Sequence, residues 1–179
     1  MQQYFDCHPP GTWAHLVVDV LLNVGCRISD GLAIGPRNLS GKELHYTSQK
    51  TNVDVDLLLP DGFYGRVNHV YTYGRRFIYH PKNNRAFESY RQFYYEFDKA
   101  LKLANLPRNA QGVRKTAHGL RKTCATRLAN RGLSASQIQA RQGWQTLEAA
   151  ELYVREADRK KLGTSEAIDF DALIDAAPS

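Results

Sequence analysis

The stretch from residue 118 to residue 132, HGLRKTCATRLANRG, most constrains the fold because it must be both a core helix and a strongly cationic one. Its apolar stripe recurs every four residues, at Leu120, Cys124 and Leu128, and Gly132 is typical of a helix end. His118 and Arg121 are three residues apart, so they project from one face near the N-terminal end. Free N–H groups and the helix dipole favour anions there. The pattern predicts a core helix that also binds phosphate.

The charge of the chain is distributed unevenly. The 179 residues carry a formal net charge of +6, with a pI near 9.3. The last segment, residues 162–179, contains four carboxylates and neither lysine nor arginine. The residues before it therefore carry about +10, which is typical of a body that binds a polyanion, followed by a chemically different tail.

The cysteines and the apolar runs narrow the class of protein further. Three cysteines, Cys7, Cys26 and Cys124, are an odd number without metal-ligand spacing, so they favour a reducing compartment over a disulfide framework or a zinc site. No apolar run reaches the length of a membrane span, and no charged-then-apolar leader opens the chain. We expect a cytoplasmic protein without a membrane partner.

Local patterns predict a mainly helical α+β domain with a small antiparallel sheet. Thr12 caps an apolar helix that ends at Gly25, and Ser29 or Asp30 caps a short second helix. Residues 42–49 and 53–59 form a β-hairpin with Lys50 at its tip, and residues 75–80, RRFIYH, are a candidate third strand. Residues 60–74 show no clean period. Residues 86–106 are helical with an inward face at Phe87, Tyr90, Phe93 or Tyr94, Phe97, Leu101 and Leu103.

Two more helices follow the cationic one, capped by Ser134 and Thr146. We divide the chain into a leader or linker stub at residues 1–11, a main domain at 12–161 and an acidic amphipathic tail at 162–179. The stub assignment depends on the adjacent prolines Pro9 and Pro10, which resist regular structure.

Six residues in order along the chain match one known arrangement. Gly25-x-Arg27-x-Ser29-Asp30 is followed by Lys50 on a hairpin, His118-x-x-Arg121, Gly143-Trp144 and, nine positions after Trp144, Tyr153. The order and spacing resemble the catalytic domain of the tyrosine recombinase (phage integrase) family over nearly all of residues 12–161. The resemblance implies the DNA breaking-rejoining fold and a site-specific recombinase or integrase that works through a 3′-phosphotyrosyl intermediate. It also implies that neither a metal ion nor ATP is needed, and we predict no cofactor.

Phosphodiester chemistry explains these residue types. Two guanidiniums, on Arg27 and Arg121, can clamp the non-bridging oxygens, whose charge grows during attack. Tyr153 is the predicted nucleophile, and His118 accepts its proton or holds the phosphate. Lys50 is the candidate to protonate the departing 5′ oxygen. Two further residues support these: Trp144, which packs on the site and donates its indole N–H, and Asp30, which orients Arg27 or His118.

Double-stranded DNA is the expected partner. Backbone contacts are predicted for Arg75, Arg76, Arg114, Lys115 and Lys122. The family resemblance implies a tetrameric synapse on DNA, a monomer without DNA, and a tail that docks on a neighbouring protomer. It also implies a preceding DNA-clamping domain, so we expect either an excised catalytic domain or a compact family member.

Two alternative functions stay open at this point. Residues 126–144 contain two short helices that could form a helix-turn-helix DNA-binding regulator without catalysis, with residues 134–143 reading the major groove. That function gives Arg27, Lys50 and Tyr153 no common task. A type IB topoisomerase-like relaxing activity shares the chemistry and needs no synapse.

Overall fold

The computed structural model describes residues 1–68, 76–107, 112 and 115–164, apart from the side chains of residues 162 and 164. Eight α-helices, one 3₁₀ turn and three strands lie within these residues. In chain order they are α1 (Gln2–Cys7), α2 (Trp13–Val24), α3 (Ile28–Ala33), the 3₁₀ turn (Pro36–Asn38), β1 (Leu39–Ser40), β2 (Glu43–Thr47), β3 (Asp54–Leu58), α4 (Asp61–Asn68), α5 (Tyr90–Leu103), α6 (Ala117–Asn130), α7 (Ala135–Gln142) and α8 (Glu148–Thr164).

The three strands form one antiparallel sheet in the order β1-β2-β3. Leu44 pairs with Leu57 and Tyr46 with Val55, and these four side chains point into the core. The residues between them face solvent, so both longer strands alternate strictly. This confirms the predicted α+β class and the hairpin, with Lys50 in the turn between β2 and β3.

Buried apolar residues form two clusters. The larger joins α1 to α5 and the sheet, and includes Val17, Leu21, Leu44, Phe63 and Phe93. The smaller joins α6, α7 and α8 around Ala125, Ala129, Ile138, Ala150 and Ala157. Helix α6 packs against both α2 and α8, so it links the two clusters, as its apolar stripe requires.

Several helix ends follow the predicted chemistry. Thr12 Oγ1 accepts from His15 N, and Ser134 Oγ accepts from Gln137 N in a reciprocal capping box. Gly25 ends α2 in the left-handed region, with φ of +71°. The cap predicted for α3 is wrong, because Arg27 occupies the N-cap position and Asp30 lies inside the helix.

The third strand was assigned to the wrong residues. The described part of RRFIYH, residues 76–80, forms bends, and Phe77 N donates to Ile34 O. The strand that completes the sheet is β1, whose two residues are too few to show a period. Residues 61–68 are helical although they gave no clear signal, because two glycines dilute a pattern whose inward positions are Phe63 and Val67.

Two further expectations differ from the structure. The segment assigned as a stub begins with α1, which ends just before Pro9, and Tyr4 is buried and donates to Ala14 O at 3.0 Å. Whether residue 12 is a domain boundary stays a prediction. In α5 the inward face is Phe93, Phe97 and Ala100, whereas the predicted members Tyr90, Tyr94 and Leu103 are exposed. Too many aromatic residues follow one another for periodicity to select a face.

Gly143→Ala should destabilise the fold more than the same change at a matched glycine. Gly143 has φ of +60°, and a Cβ there would lie 2.8 Å from Val55 Cγ2. Gly41 has φ of +58° with open space around it. Left-handed strain costs about 1–2 kcal/mol at either position, and the contact with Val55 adds about 1–3 kcal/mol.

Urea unfolding followed by tryptophan fluorescence measures both free energies. Equal losses for Gly143→Ala and Gly41→Ala would contradict close packing between the end of α7 and strand β3.

Candidate active site

Arg121 lies at the centre of the site and is buried, with 5% of its surface exposed. Its Nη1 donates to Gly25 O at 2.9 Å and its Nη2 to Gln142 O at 2.6 Å. Burial, followed by the positive charge of Arg27, holds the pKa of its guanidinium below the ordinary value. Arginine nevertheless stays charged near neutral pH, so a cation is fixed here between the ends of α2 and α7.

Arg27 approaches the same place from the start of α3. Its Nη1 donates to Ser48 Oγ at 3.0 Å and lies 3.5 Å from Thr51 Oγ1. The side chain is half-buried, and its charge influences the pKa of Arg121. Arg121 binds the carbonyl of Gly25, two positions before Arg27, so the two arginines predicted to form a clamp lie near one another although 94 positions separate them in the sequence.

Asp30 connects α3 to the hairpin turn. The carboxylate is 2% exposed and accepts from Ser48 Oγ at 3.1 Å and from the backbone N–H of Gln49 at 2.9 Å. It reaches Arg27 through the Ser48 hydroxyl, because Ser48 accepts from Arg27 and donates to Asp30. Of the two partners expected for Asp30, the contacts favour Arg27.

The turn of the hairpin carries Lys50 beside these contacts. Lys50 is exposed, and Asn52 completes the turn with φ of +52°. Thr51 Oγ1 donates to Gly143 O at 3.0 Å. The lysine therefore lies on a turn that touches the loop of residues 143–147 between α7 and α8.

Trp144 and Tyr153 stack on one another next to Arg121. Their ring centroids are 5.7 Å apart at an interplanar angle of 19°. The Arg121 Cζ lies 5.5 Å from the centroid of the Trp144 ring, a cation–π contact. Trp144 thus contacts both the central guanidinium and the half-buried tyrosine.

The environment of Tyr153 favours the neutral phenol. Burial raises its pKa above the ordinary value, the carboxylate of Glu156 one turn further along α8 raises it further, and Arg121 acts in the opposite direction. A phenol that stays protonated until a base removes its proton fits a nucleophile used only when a phosphate is bound.

The remaining predicted residues lie at the edge of the site or elsewhere. His118 is exposed one turn before Arg121 on α6, and Lys115 and Lys122 are also exposed. Arg76 is half-buried, and burial, followed by the charge of Arg37, lowers the pKa of its guanidinium. Arg75 and Arg114 lie outside the described residues, and so does most of the tail. The DNA contacts of all five basic residues stay predictions.

The wall behind the arginines contains weakly acidic groups. Burial, followed by the charge of Asp30, raises the pKa of the Cys26 thiol to about 12. Burial also raises the pKa of the Tyr46 phenol and of the Cys124 thiol. All three groups stay neutral near pH 7, so they do not neutralise the arginines.

Sequence reasoning missed the acceptors that hold the two guanidiniums. Ser48 and Thr51 flank the lysine as small hydroxyl residues, which is a weak signal for arginine contacts. The carbonyls of Gly25 and Gln142 give no side-chain signal at all. Only the glycines at 25 and 143, with φ of +71° and +60°, mark the places where the chain turns to present them.

Comparison with known proteins decides the family. The model of the phage integrase family matches residues 2–160. The chain belongs to the phage integrase family. No curated protein matches the sequence.

Solved structures of family proteins have the same fold. A dimer of lambda integrase (75–356) bound to a COC′ core site has a TM-score of 0.69 at 18% identity, and the match covers 86% of this chain and 56% of that one. XerA recombinase gives 0.66 at 15%, covering 94% and 61%. The Tn1549 transposon integrase in complex with circular intermediate DNA gives 0.60 at 16%, covering 84% and 57%. The chain thus spans between 56% and 61% of the chains in these three structures.

Two kinds of feature are absent from the described residues. They contain no group of three or more histidine, cysteine, aspartate or glutamate residues placed to hold a metal ion. No helix in the same residues is long and apolar enough to cross a membrane.

Glu156→Gln should lower the pKa of Tyr153. The carboxylate opposes formation of the phenolate, and a neutral amide removes that opposition. NMR titration of the protein labelled with ¹³C at tyrosine Cζ measures the value, with Tyr153→Phe to assign the resonance. Glu148→Gln, which removes the same charge from the first turn of α8, should leave the pKa in place. An unchanged or higher pKa in Glu156→Gln would contradict the described position of the carboxylate.

Proposed function

We propose that this chain is the catalytic domain of a site-specific DNA recombinase or integrase that cleaves and rejoins DNA through a 3′-phosphotyrosyl intermediate. The observation that carries the proposal is the meeting of Arg27 and Arg121 beside the stacked Trp144 and Tyr153. Family membership supports it, and so does the order of the motif residues.

The chemical step conserves atoms and charge. Tyr153 Oη forms a bond to the phosphorus while the bond from phosphorus to the 5′ oxygen breaks. The phenolic proton passes to a base, for which His118 is the candidate, and the departing oxygen takes a proton from the Lys50 ammonium. The two guanidiniums stabilise the charge of the pentacoordinate transition state. A 5′-hydroxyl attacking the phosphotyrosine reverses the step without ATP.

Double-stranded DNA is the proposed substrate. Similar proteins include a lambda integrase dimer bound to a core site and a lambda integrase tetramer bound to a Holliday junction. By that likeness we propose a tetrameric synapse on DNA for this chain. A monomer without DNA and a cytoplasmic location are proposed as well, the location on the odd number of cysteines and their spacing. The acidic tail, as the segment that docks on a neighbouring protomer, is part of the same proposal.

The helix-turn-helix alternative fits the structure less well. Helix α7 lies against β3 and α8, with Ile138 and Gln142 buried, and Arg141 donates to Asn23 O. A recognition helix must leave enough of its surface free to enter the major groove. Topoisomerase-like relaxation uses the same residues and differs only in needing no synapse.

Tyr153→Phe should abolish covalent capture of DNA and preserve binding. The ring and its stacking on Trp144 remain, whereas the attacking oxygen is lost. The probe is a pool of nicked duplexes of randomised sequence. Cleavage near the nick releases a short fragment that diffuses away, so the reaction cannot reverse and the covalent complex accumulates. SDS-resistant complexes measure cleavage, and peptide mapping of the DNA-linked residue identifies the nucleophile.

Tyr90→Phe, at an exposed tyrosine on α5, is the matched control and should trap like the wild type. Covalent complexes in Tyr153→Phe, or none with the wild type, would refute DNA cleavage by Tyr153. Relaxation of supercoiled plasmid without recombinant products would favour the topoisomerase alternative.

DNA binding should depend strongly on salt. Each phosphate contact contributes about −0.9 to the slope of log affinity against log salt, so Lys115→Gln and Lys122→Gln should each make the slope shallower by about that amount. Anisotropy of a labelled random duplex measures it. Lys42→Gln, at a lysine paired with Asp61 at 2.6 Å, should leave the slope unchanged. Tight binding with a flat slope would contradict electrostatic contact through α6.

A further inference from the structure

We propose that Thr51 and Gln145 are positioning residues that hold the turn carrying Lys50 against the loop carrying Trp144, and thereby place the Lys50 ammonium near the departing 5′ oxygen. This inference rests on the proposed function, because it assigns a purpose to contacts around the general acid. It adds two residues to the site that the motif does not contain.

Two hydrogen bonds join the turn to the loop. Thr51 Oγ1 donates to Gly143 O at 3.0 Å, and Gln145 Nε2 donates to Thr51 O at 3.1 Å. The partners are 92 and 94 positions apart in the sequence, so both bonds are tertiary. Gly143 and Gln145 flank Trp144, so these two hydrogen bonds fix the turn beside Trp144, which stacks on the proposed nucleophile.

The other side of the turn is fixed as well. The backbone N–H of Gln49 donates to Asp30 at 2.9 Å, and the side-chain Nε2 of Gln49 donates to Ser29 O at 3.1 Å. Lys50 therefore follows a residue held by α3 and precedes a residue held by the loop after α7. Its backbone is fixed from both directions while its side chain stays exposed.

Gln145 is itself held in place. Gln139 Nε2, from α7, donates to Gln145 O at 3.2 Å. Lys50 is therefore connected to the smaller core cluster through groups that are each hydrogen-bonded: first Thr51, then Gln145, then α7. A movement of Trp144 or α7 would be transmitted to the lysine.

The chemistry makes the position of the lysine matter. A general acid acts only within about 2.6–3.2 Å of the atom it protonates, and it contributes roughly 10²–10⁴-fold to the rate. A turn released on one side lets the ammonium sample positions outside that range. Loss of Thr51 or Gln145 should then remove part of the acid's contribution and leave the arginine clamp in place.

A leaving group that needs no proton separates this role from a structural one. The duplex recovered by covalent trapping is prepared with the ordinary 5′ oxygen and with sulfur in its place. A thiol has a pKa near 8.5, far below that of an alcohol, so the thiolate departs without an acid. Single-turnover cleavage of both duplexes by the full chain is the measurement.

On the oxygen duplex, Lys50→Ala should slow cleavage about 10²-fold or more. Thr51→Val and Gln145→Ala should each slow it roughly 5- to 20-fold, because they remove only part of the contribution of the general acid. On the sulfur duplex all three should approach the wild-type rate. Thr51→Ser, which keeps the hydroxyl, should behave as the wild type on both. Thr47→Val is the matched control on the same hairpin, since its hydroxyl donates to Asp54 away from the loop.

Gln145→Ala is the decisive variant, because Thr51 Oγ1 also lies 3.5 Å from Arg27 and Gln145 makes its bond to the backbone of the turn. Equal slowing on both duplexes, or none on either, would overturn the positioning role. If sulfur restores the cleavage rate of Lys50→Ala but not that of Gln145→Ala, this inference fails while the proposed function stands. Failure of sulfur to rescue Lys50→Ala would instead remove the general-acid assignment made under the proposed function.

Discussion

The Arg121 guanidinium is the contact on which the rest of the site depends. It is a buried cation that donates to the last carbonyl of α7 and to the carbonyl that follows α2, so one side chain of α6 fixes the ends of two other helices. The chain can present those carbonyls because Gly25 and Gly143 adopt positive φ. A Cβ at Gly25 would lie 2.6 Å from Gln142 Nε2 and 2.8 Å from Cys124 Sγ, so a larger residue would require these buried side chains to shift.

The acceptors around the two arginines explain why the site retains its positive charge. Among the described residues, neither guanidinium forms an ion pair: Arg121 binds carbonyls and Arg27 binds a serine hydroxyl. The nearby carboxylate of Asp30 is used by Ser48 and by a backbone N–H. Neutral acceptors orient a cation without cancelling its charge, so attraction for a bound phosphate is preserved. Direct carboxylate partners would have stabilised the arginines and weakened the site.

Sequence predicted the parts of this arrangement that depend on side-chain identity. The caps at Thr12 and Ser134 and the strict alternation of the hairpin each have a local cause. The family followed from residues whose types are dictated by phosphodiester chemistry. The helix at residues 61–68 and the short strand β1 were not predictable, because glycines hide the period in one and two residues cannot show a period in the other.

The site was predictable to the same extent and for the same reason. Arg27, Arg121, Trp144 and Tyr153 could be chosen because they match the motifs of the family in order, and they lie near one another in the structure. The carbonyl acceptors could not, because every residue has one and only tertiary structure decides which carbonyl meets a guanidinium. The same reasoning applies to the turn that carries Lys50. A hairpin lysine suggests a mobile group, yet its neighbours on both sides are bound to fixed elements.

The protonation state of Tyr153 depends on influences that act in opposite directions. Burial and the carboxylate of Glu156 favour the phenol, whereas the charge of Arg121 favours the phenolate. A bound phosphate would offset part of the Arg121 charge and strengthen the preference for the phenol. In the proposed reaction, attack by Tyr153 therefore needs a base that takes the proton as the bond to phosphorus forms, because phosphate binding alone does not favour the phenolate. His118, the proposed base, is exposed on the same helix as Arg121, so under the proposed function DNA that covers this face would meet both residues.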